Sequence, residues 1–506
     1  MKNIFPVIIL LFLTISALII GCNHKGIDKG IDKDIGIGKW QSTVRTFGGA
    51  GYDIGTSCAV CSDGNILIVG YTNSQDKDLA DKLFPNSNYY TAKKFRKEDI
   101  TIKIATDLWV LKVDPKNGQI LYNRCFGGSG DDAGYSITET ADGNILVLGD
   151  TNSTDGDLLD IPRESYYNLW LLKIDPKEDK IIYNKRIGGM PFENLVIHAN
   201  SIIETSDGNI AITAQVNTKN METYGRRNEP EDFNKTGFGI RTENNDIWVL
   251  KVDPRNDKIL YNEYLGGSGD DGGVAIMESE DGNLVVVGNT SSQSGKVTYP
   301  SKYGGKDIWV LKIDPNDKKI LYNKCFGGSY NDLATSAVKC RDGSILISAY
   351  TGSVDGHLSK RKKALKGVLR ENAKYGNWVL KINIEKDMIL YNEFFKDTDE
   401  RVAVVGVSVV ETKDGCIFLA EKTEIEDKTH GWRTEVKESL RVREINLKSG
   451  KIFYESLFDD VNAEAITETK DGRIVVVGSS VEKKEYPDLW CLTVAPILEE
   501  FNPPKK

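Results

Sequence analysis

Short apolar runs of six or seven residues, separated by turn residues, recur along most of the chain in a fixed order of four. The first, as in Tyr135–Thr140, ends at an Asp-Gly pair, a tight-hairpin signal between apolar runs. The second, Asn144–Gly149, is apolar without alternation, as expected of a strand covered on both faces. The third is Leu-Trp-Val-Leu-Lys-Val-Asp or close to it, at Leu108–Asp114, Leu169–Asp175, Ile247–Asp253 and Ile308–Asp314. It stops at a turn such as Asp114-Pro115-Lys116-Asn117-Gly118, where proline presets φ and ends the strand. The fourth, Ile120–Phe126, alternates and carries charge, the pattern of an outer strand. The Asp-Gly pair appears at Asp63, Asp142, Asp207, Asp281, Asp342, Asp414 and Asp471, 57 to 79 residues apart. Self-similarity at such a period means a repeat architecture rather than a string of unrelated domains.

Counting strands sharpens this. Seven first, second and third strands are visible, but only six fourth strands follow a third, beginning at Ile120, Ile181, Ile259, Ile320, Ile389 and Ile452. Trp40–Gly49 reads as the missing fourth strand, placed before the first repeat. It can pair with the last unit and close a ring, leaving no open edge. The expected fold is all-β: a seven-bladed β-propeller of four-stranded blades, closed by its N-terminal strand pairing with the C-terminal blade. Trp109, Trp170, Trp248, Trp309, Trp378 and Trp490 share one repeat position and read as packing between blades rather than as a sugar platform. Blade six has Arg441 there and is expected to be the weakest.

The ends read differently. Lys2 precedes an apolar run from Ile4 to Ile20, long enough for an export signal or a retained anchor helix. Ile19-Ile20-Gly21-Cys22 closes that run and resembles a bacterial lipobox, which implies cleavage before Cys22 and its lipidation. Residues 1–21 are then a lipoprotein signal peptide, 22–39 a Gly/Asp/Lys-rich tether, 40–498 the propeller and 499–506 a disordered tail. The expected location is outside the cytoplasm, lipid-anchored to the cell membrane or outer membrane. A net charge of −9 and a pI near 5.3 argue against bulk nucleic-acid binding. Beyond Cys22, seven cysteines remain. Cys58 and Cys61 are spaced as a CxxC, but strand residues three apart point to opposite faces, and Cys340 and Cys61 share a repeat position. They read as small buried hydrophobes. His24, His198, His357 and His430 stand outside metal-ligand spacing of one another.

The FGGSGDD, TxDGNI and DxWVLKVD segments resemble a family of exported bacterial β-propeller repeat proteins, many of them lipoproteins; the likeness implies a fold and no catalysis. VLKVDPKNGQILYN is also similar, more distantly, to the quinoprotein-type propeller repeat. Tyr122, Tyr183, Tyr261 and Tyr322 stand where that repeat has a docking tryptophan, so no cofactor or calcium ligand set carries over.

Two groups of residues are candidates for function. Asp53, Asp131, Asp132, Asp270, Asp271 and Asp332 lie in the crossings between blades and are expected to gather at the mouth of the central channel, either as a carboxylate ring or as turn formers. Asp150–Gly156 approaches a calcium loop but misses the third ligand position, so no metal is assigned. The second group lies in the insertions between second and third strands: Tyr89 and Tyr90, Tyr166 and Tyr167, Arg226 and Arg227, and the basic run Lys360–Lys363. Tyr and Arg dominate interface hot spots. The leading expectation is a monomeric binding or scaffold module that takes an envelope protein or a glycan on this face. The alternatives are a polysaccharide hydrolase or lyase using the acids at the channel mouth, and a structural surface protein without a specific ligand.

Overall fold

The computed structural model describes residues 40–80, 105–161, 168–188, 197–217, 245–297, 305–359, 376–395, 402–430, 433–480 and 486–496. They form seven four-stranded antiparallel sheets. Blade one is Asp53–Val60, Ile66–Thr72, Asp107–Val113 and Ile120–Phe126, in that spatial order. Blade seven is Val461–Glu468, Ile474–Ser480 and Leu489–Pro496, completed by Trp40–Phe47 in register from Trp40↔Pro496 to Phe47↔Leu489. Each first strand touches the first strands of both neighbouring blades, the seventh touching the first, so the sheets make a closed seven-membered ring. The expected architecture and its closing strand are both present.

The core lies between blades. Leu67, Val69, Leu108 and Val110 of blade one pack against Ile137, Val147, Trp170 and Leu172 of blade two, and clusters of the same kind recur around the ring. The second-strand residue opposite each Trp is small. Trp109, Trp170, Trp309 and Trp378 are at most 1% exposed, and each faces Gly or Ala on the second strand: Gly70, Gly149, Gly288 and Ala349. A Cβ on Gly70 would sit 1.7 Å from the Ile54 carbonyl oxygen, where the first strand bulges. The indole N–H donates to the fourth-strand Asn, from Trp109 to Asn123 at 2.8 Å and from Trp170 to Asn184 at 2.8 Å. That Asn in turn donates to the carbonyl of Asp78 or Asp157.

The Asp-Gly turns have one residue more than a two-residue hairpin. Gly143 N–H donates to the Thr140 carbonyl and Thr140 N–H to the Asn144 carbonyl, with Gly143 at φ +79°. This is a type I turn followed by a left-handed bulge residue, which glycine adopts without strain. The Asp side chain faces the third-strand Lys: Lys112–Asp63 is 2.7 Å, Lys173–Asp142 2.9 Å, Lys251–Asp207 2.8 Å, Lys312–Asp281 2.7 Å and Lys381–Asp342 3.1 Å. On the outer rim, Tyr122 and Arg124 of blade one clasp Asp179 in the turn of blade two, at 2.8 and 3.0 Å. Tyr183 with Lys185 holds Asp257 in the same way. The Lys, Tyr and Asn of the repeat are thereby explained as contacts that join strands and blades.

Blade six departs from the rule. Its second and third strands, Cys416–His430 and Arg433–Asn446, are the longest among the described residues and pair as far as His430↔Arg433. The Gly–Trp pair is replaced by Glu421↔Arg441. Glu421, fully buried, accepts from Asn377 of blade five at 3.0 Å and faces Arg443 at 3.2 Å.

Candidate functional site

The ring has two faces. The Asp-Gly and Asp-Pro turns lie on one, here the turn face. The crossings between blades and the ends of the second and third strands lie on the other, the crossing face.

On the crossing face, four of the six aspartates are buried within the crossings. Asp53, Asp132, Asp271 and Asp332 are at most 1% exposed. Asp132 accepts from Gly128 N–H at 3.0 Å and from the hydroxyls of Ser153, at 2.6 Å, and Thr151. Asp53 does the same with Gly49, Ser74 and Thr72, and Asp332 with Gly328, Ser353 and Thr351. Asp271 takes Gly267 N–H and Ser292. Burial pushes Asp132 up to about 7 and Asp271 to about 6, and raises Asp53 and Asp332, with the hydroxyls and amide opposing. Asp131 and Asp270 are half-buried at the loop surface; Asp270 lies 3.5 Å from Lys306. In each adjacent pair one carboxyl turns inward and its neighbour outward, a distinction that two consecutive Asp letters cannot convey.

The segment that resembled a calcium loop has its oxygens engaged here. In blade two, five consecutive crossing amides are captured by side chains: Gly127 by Asp157, Gly128 by Asp132, Ser129 by Asp155, Gly130 by Ser153 and Asp131 by Asn152. Blade one repeats the set with Asp78, Asp53, Asp76, Ser74 and Asn73. FGGSGDD and TNSxDGD are therefore two halves of one device. Asp150, at the start of the second half, accepts Ala199 N–H of the next blade at 3.2 Å, and burial pushes it up to about 7.

Tyr89, Tyr90, Tyr166, Tyr167, Arg226, Arg227 and Lys360–Lys363 lie outside the described residues. So do Cys22 and the Ile4–Ile20 run; among the described residues no helix is long and apolar enough to cross a membrane. The strands flanking the insertions are described, and all of them end on the crossing face.

A recurring acid at the ends of the first strands was missed by the sequence reading. Glu139, Glu204, Glu278, Glu411 and Glu468 are the last residues of five first strands, and they lie on the turn face. The signal was available: each stands three residues before the Asp of an Asp-Gly pair.

Two donor groups among the described residues have metal-binding composition: Cys340, Asp342 and Glu411, and Asp414, Cys416 and Glu444. Lys381 already occupies the first, 3.1 Å from Asp342 and 2.6 Å from Glu411. In the second, Glu444 takes the register position of that lysine and accepts from the Trp40 indole at 3.1 Å. The seven cysteines of the ring are free thiols. Burial pushes Cys61, Cys325, Cys340 and Cys491 up to about 12, the state of inert packing groups.

Scans against protein-family descriptions and curated proteins find no match. The chain is similar to the WD40 β-propeller domain of Doa1, with 10% identity over 90% of this chain and 97% of that one and a TM-score of 0.41. It is similar to a fungal alcohol oxidase complexed with copper (11%, 91% and 76%, TM-score 0.41). It is similar to a variant of the NanB sialidase from Streptococcus pneumoniae (12%, 89% and 69%, TM-score 0.36). The chain is a seven-bladed β-propeller. Likenesses this distant bear on the fold alone, and the strand pairing establishes that independently.

Proposed function

We propose that this propeller is a lipid-anchored, extracytoplasmic binding or scaffold module that takes an envelope protein or a glycan on its crossing face. One observation carries the reading. The connections between second and third strands leave and return on the crossing face, whereas the ring's own chain ends, Trp40 and Pro496, are paired at the turn face. Trp40, where the ring begins, is therefore on the face opposite the variable side. The turn face, by contrast, repeats the same Lys–Asp pairs in five blades, as scaffold does. Asp53, Asp132, Asp271 and Asp332 are buried in the crossings, so of the acids invoked for the hydrolase or lyase alternative Asp131 and Asp270 are the ones at the surface.

The test has two parts. Cys22→Ala is expected to release the protein from membranes, read by fractionation. Crosslinking and affinity purification of the anchored protein from its own membranes is expected to recover one envelope component. Replacing 81–104 and 218–244 by short Gly-Ser linkers is expected to abolish that recovery while the β-sheet circular dichroism spectrum is retained. Undiminished capture by the trimmed ring would reject the crossing face as the site.

A further inference from the structure

On the turn face, the last residue of each first strand reaches back to the turn of the blade before it. Glu139 accepts Ser62 N–H at 2.5 Å, Glu204 accepts Ala141 at 2.6 Å and Glu278 accepts Ser206 at 2.7 Å. Glu468 accepts Lys413 at 3.1 Å and Glu411 accepts Arg341 at 3.3 Å. At five seams a carboxylate thus caps the same backbone amide. At the seam between blade four, Asp271–Phe326, and blade five, Asp332–Phe395, the sequence inverts the charge: the position is Lys339. Its ammonium donates to the Glu278 carbonyl at 2.8 Å. The Glu280 N–H, equivalent to the five capped amides, meets no carboxylate among the described residues.

A groove of about 380 Å³ opens at this seam. Its floor is Met277, Val285, Ile345 and Ile384, all at most 7% exposed. Ile384 stands where four other turns carry Pro115, Pro176, Pro254 and Pro315, and blade six carries Leu447, and it extends the apolar floor. Most acids around the groove are already matched. Lys312 bridges Asp281 at 2.7 Å and Glu385 at 2.5 Å, Lys381 holds Asp342 at 3.1 Å, and Glu278 is engaged by Ser206. The Glu280 side chain lies beside Gly343 of the next turn. Lys386 joins Lys339 on the rim.

We propose that this seam binds a small monocarboxylate with an apolar body. The ligand's carboxylate takes the place that glutamate holds at five of the other seams, the seventh having Val60 there, accepting from Glu280 N–H and pairing with Lys339. Its aliphatic or aromatic part covers the Met277, Val285, Ile345 and Ile384 floor. The volume suits a compact organic acid, and a charge-assisted hydrogen bond with an apolar floor is the usual composition of such a site.

The test uses the whole ring and three probes of one length: octanoate, 1-octanol and octylamine, by titration calorimetry and saturation-transfer NMR. Octanoate is expected to bind at least about tenfold more tightly than octanol, the worth of one strong polar contact. Lys339→Glu rebuilds the capping contact of those five seams. It is expected to fold, to raise the melting temperature and to lose octanoate binding. Lys339→Gln, which keeps the groove but removes the charge, is expected to bring octanoate down to the level of octanol. Failure of octanoate to bind, equal binding of octanol, tighter binding of octylamine, or unchanged octanoate affinity in Lys339→Glu would each overturn the proposal.

Discussion

At the scale of single residues, the aspartates of the crossings illustrate how burial reassigns a charged letter. Asp132 is held near 7 by desolvation, above its ordinary value of 3.8. A carboxyl with a raised folded-state value retains its proton longer when folded than when unfolded. Its contribution to stability is therefore complete below about pH 4 and is lost as pH rises through about 7. Denaturant melts of the wild type and Asp132→Asn at pH 5 and pH 8 should show a smaller loss between the two pH values in the variant. Asp132→Ala leaves Gly128 N–H and two hydroxyls without their acceptor and is expected to cost about 2–4 kcal/mol at neutral pH, read from the urea midpoint. A buried Trp is equally exposed to test: Trp309→Ala should cost about 3–5 kcal/mol by the same measurement, since the ring fills a fully buried slot and its N–H is bound to Asn323 at 2.8 Å. The sequence was enough to name the Trp position as packing, because periodicity speaks directly to burial. It could not say which aspartate of a doublet points inward, because that depends on the tight return of the crossing, where five amides must find acceptors.

At the scale of elements, strand number, strand order and the closing segment were legible, since each follows from the spacing of apolar runs and turn residues. Turn geometry was legible only in part. Asp-Gly marks a hairpin, but the three-residue form depends on the Thr140–Asn144 pairing that the letters do not reveal. Blade six was legible as an exception and not in what replaces the rule. Its Glu421–Arg443 pair and the Asn377 that supports it are spread over two blades, and no local window contains all three. A buried pair of this kind is costly to halve. Arg443→Ala is expected to destabilise the ring by about 3–5 kcal/mol by stranding Glu421, whereas the double replacement Glu421→Ala with Arg443→Ala should recover part of that loss in the same chemical denaturation series. The insertions were legible as departures from the repeat; the cap that Lys339 breaks was not, because its significance depends on knowing which amide each glutamate touches.

At the scale of the whole molecule, the ring is held by three kinds of contact between blades: apolar seams, carboxylate caps on the turn face, and Tyr–Asp clasps on the outer rim. Closure adds the eight-residue pairing of Trp40–Phe47 with Leu489–Pro496. Removing residues 40–47 exposes one edge of Leu489–Pro496 and is expected to cost on the order of 5 kcal/mol and to shift the protein towards oligomers, measured by scanning calorimetry and size-exclusion chromatography. That pairing also orders events in time. The ring's first strand in chain order, Trp40–Phe47, is completed by its last, Leu489–Pro496, so no portion of the ring can close ahead of the rest. Contacts of such long sequence separation form slowly, because loop closure comes before its reward. A chain emerging from a ribosome or an export channel can build blades one after another, yet it keeps an unmated edge until its C-terminal blade arrives. Truncated products are thereby marked by that edge, and completeness of the polypeptide becomes a condition for its folded form.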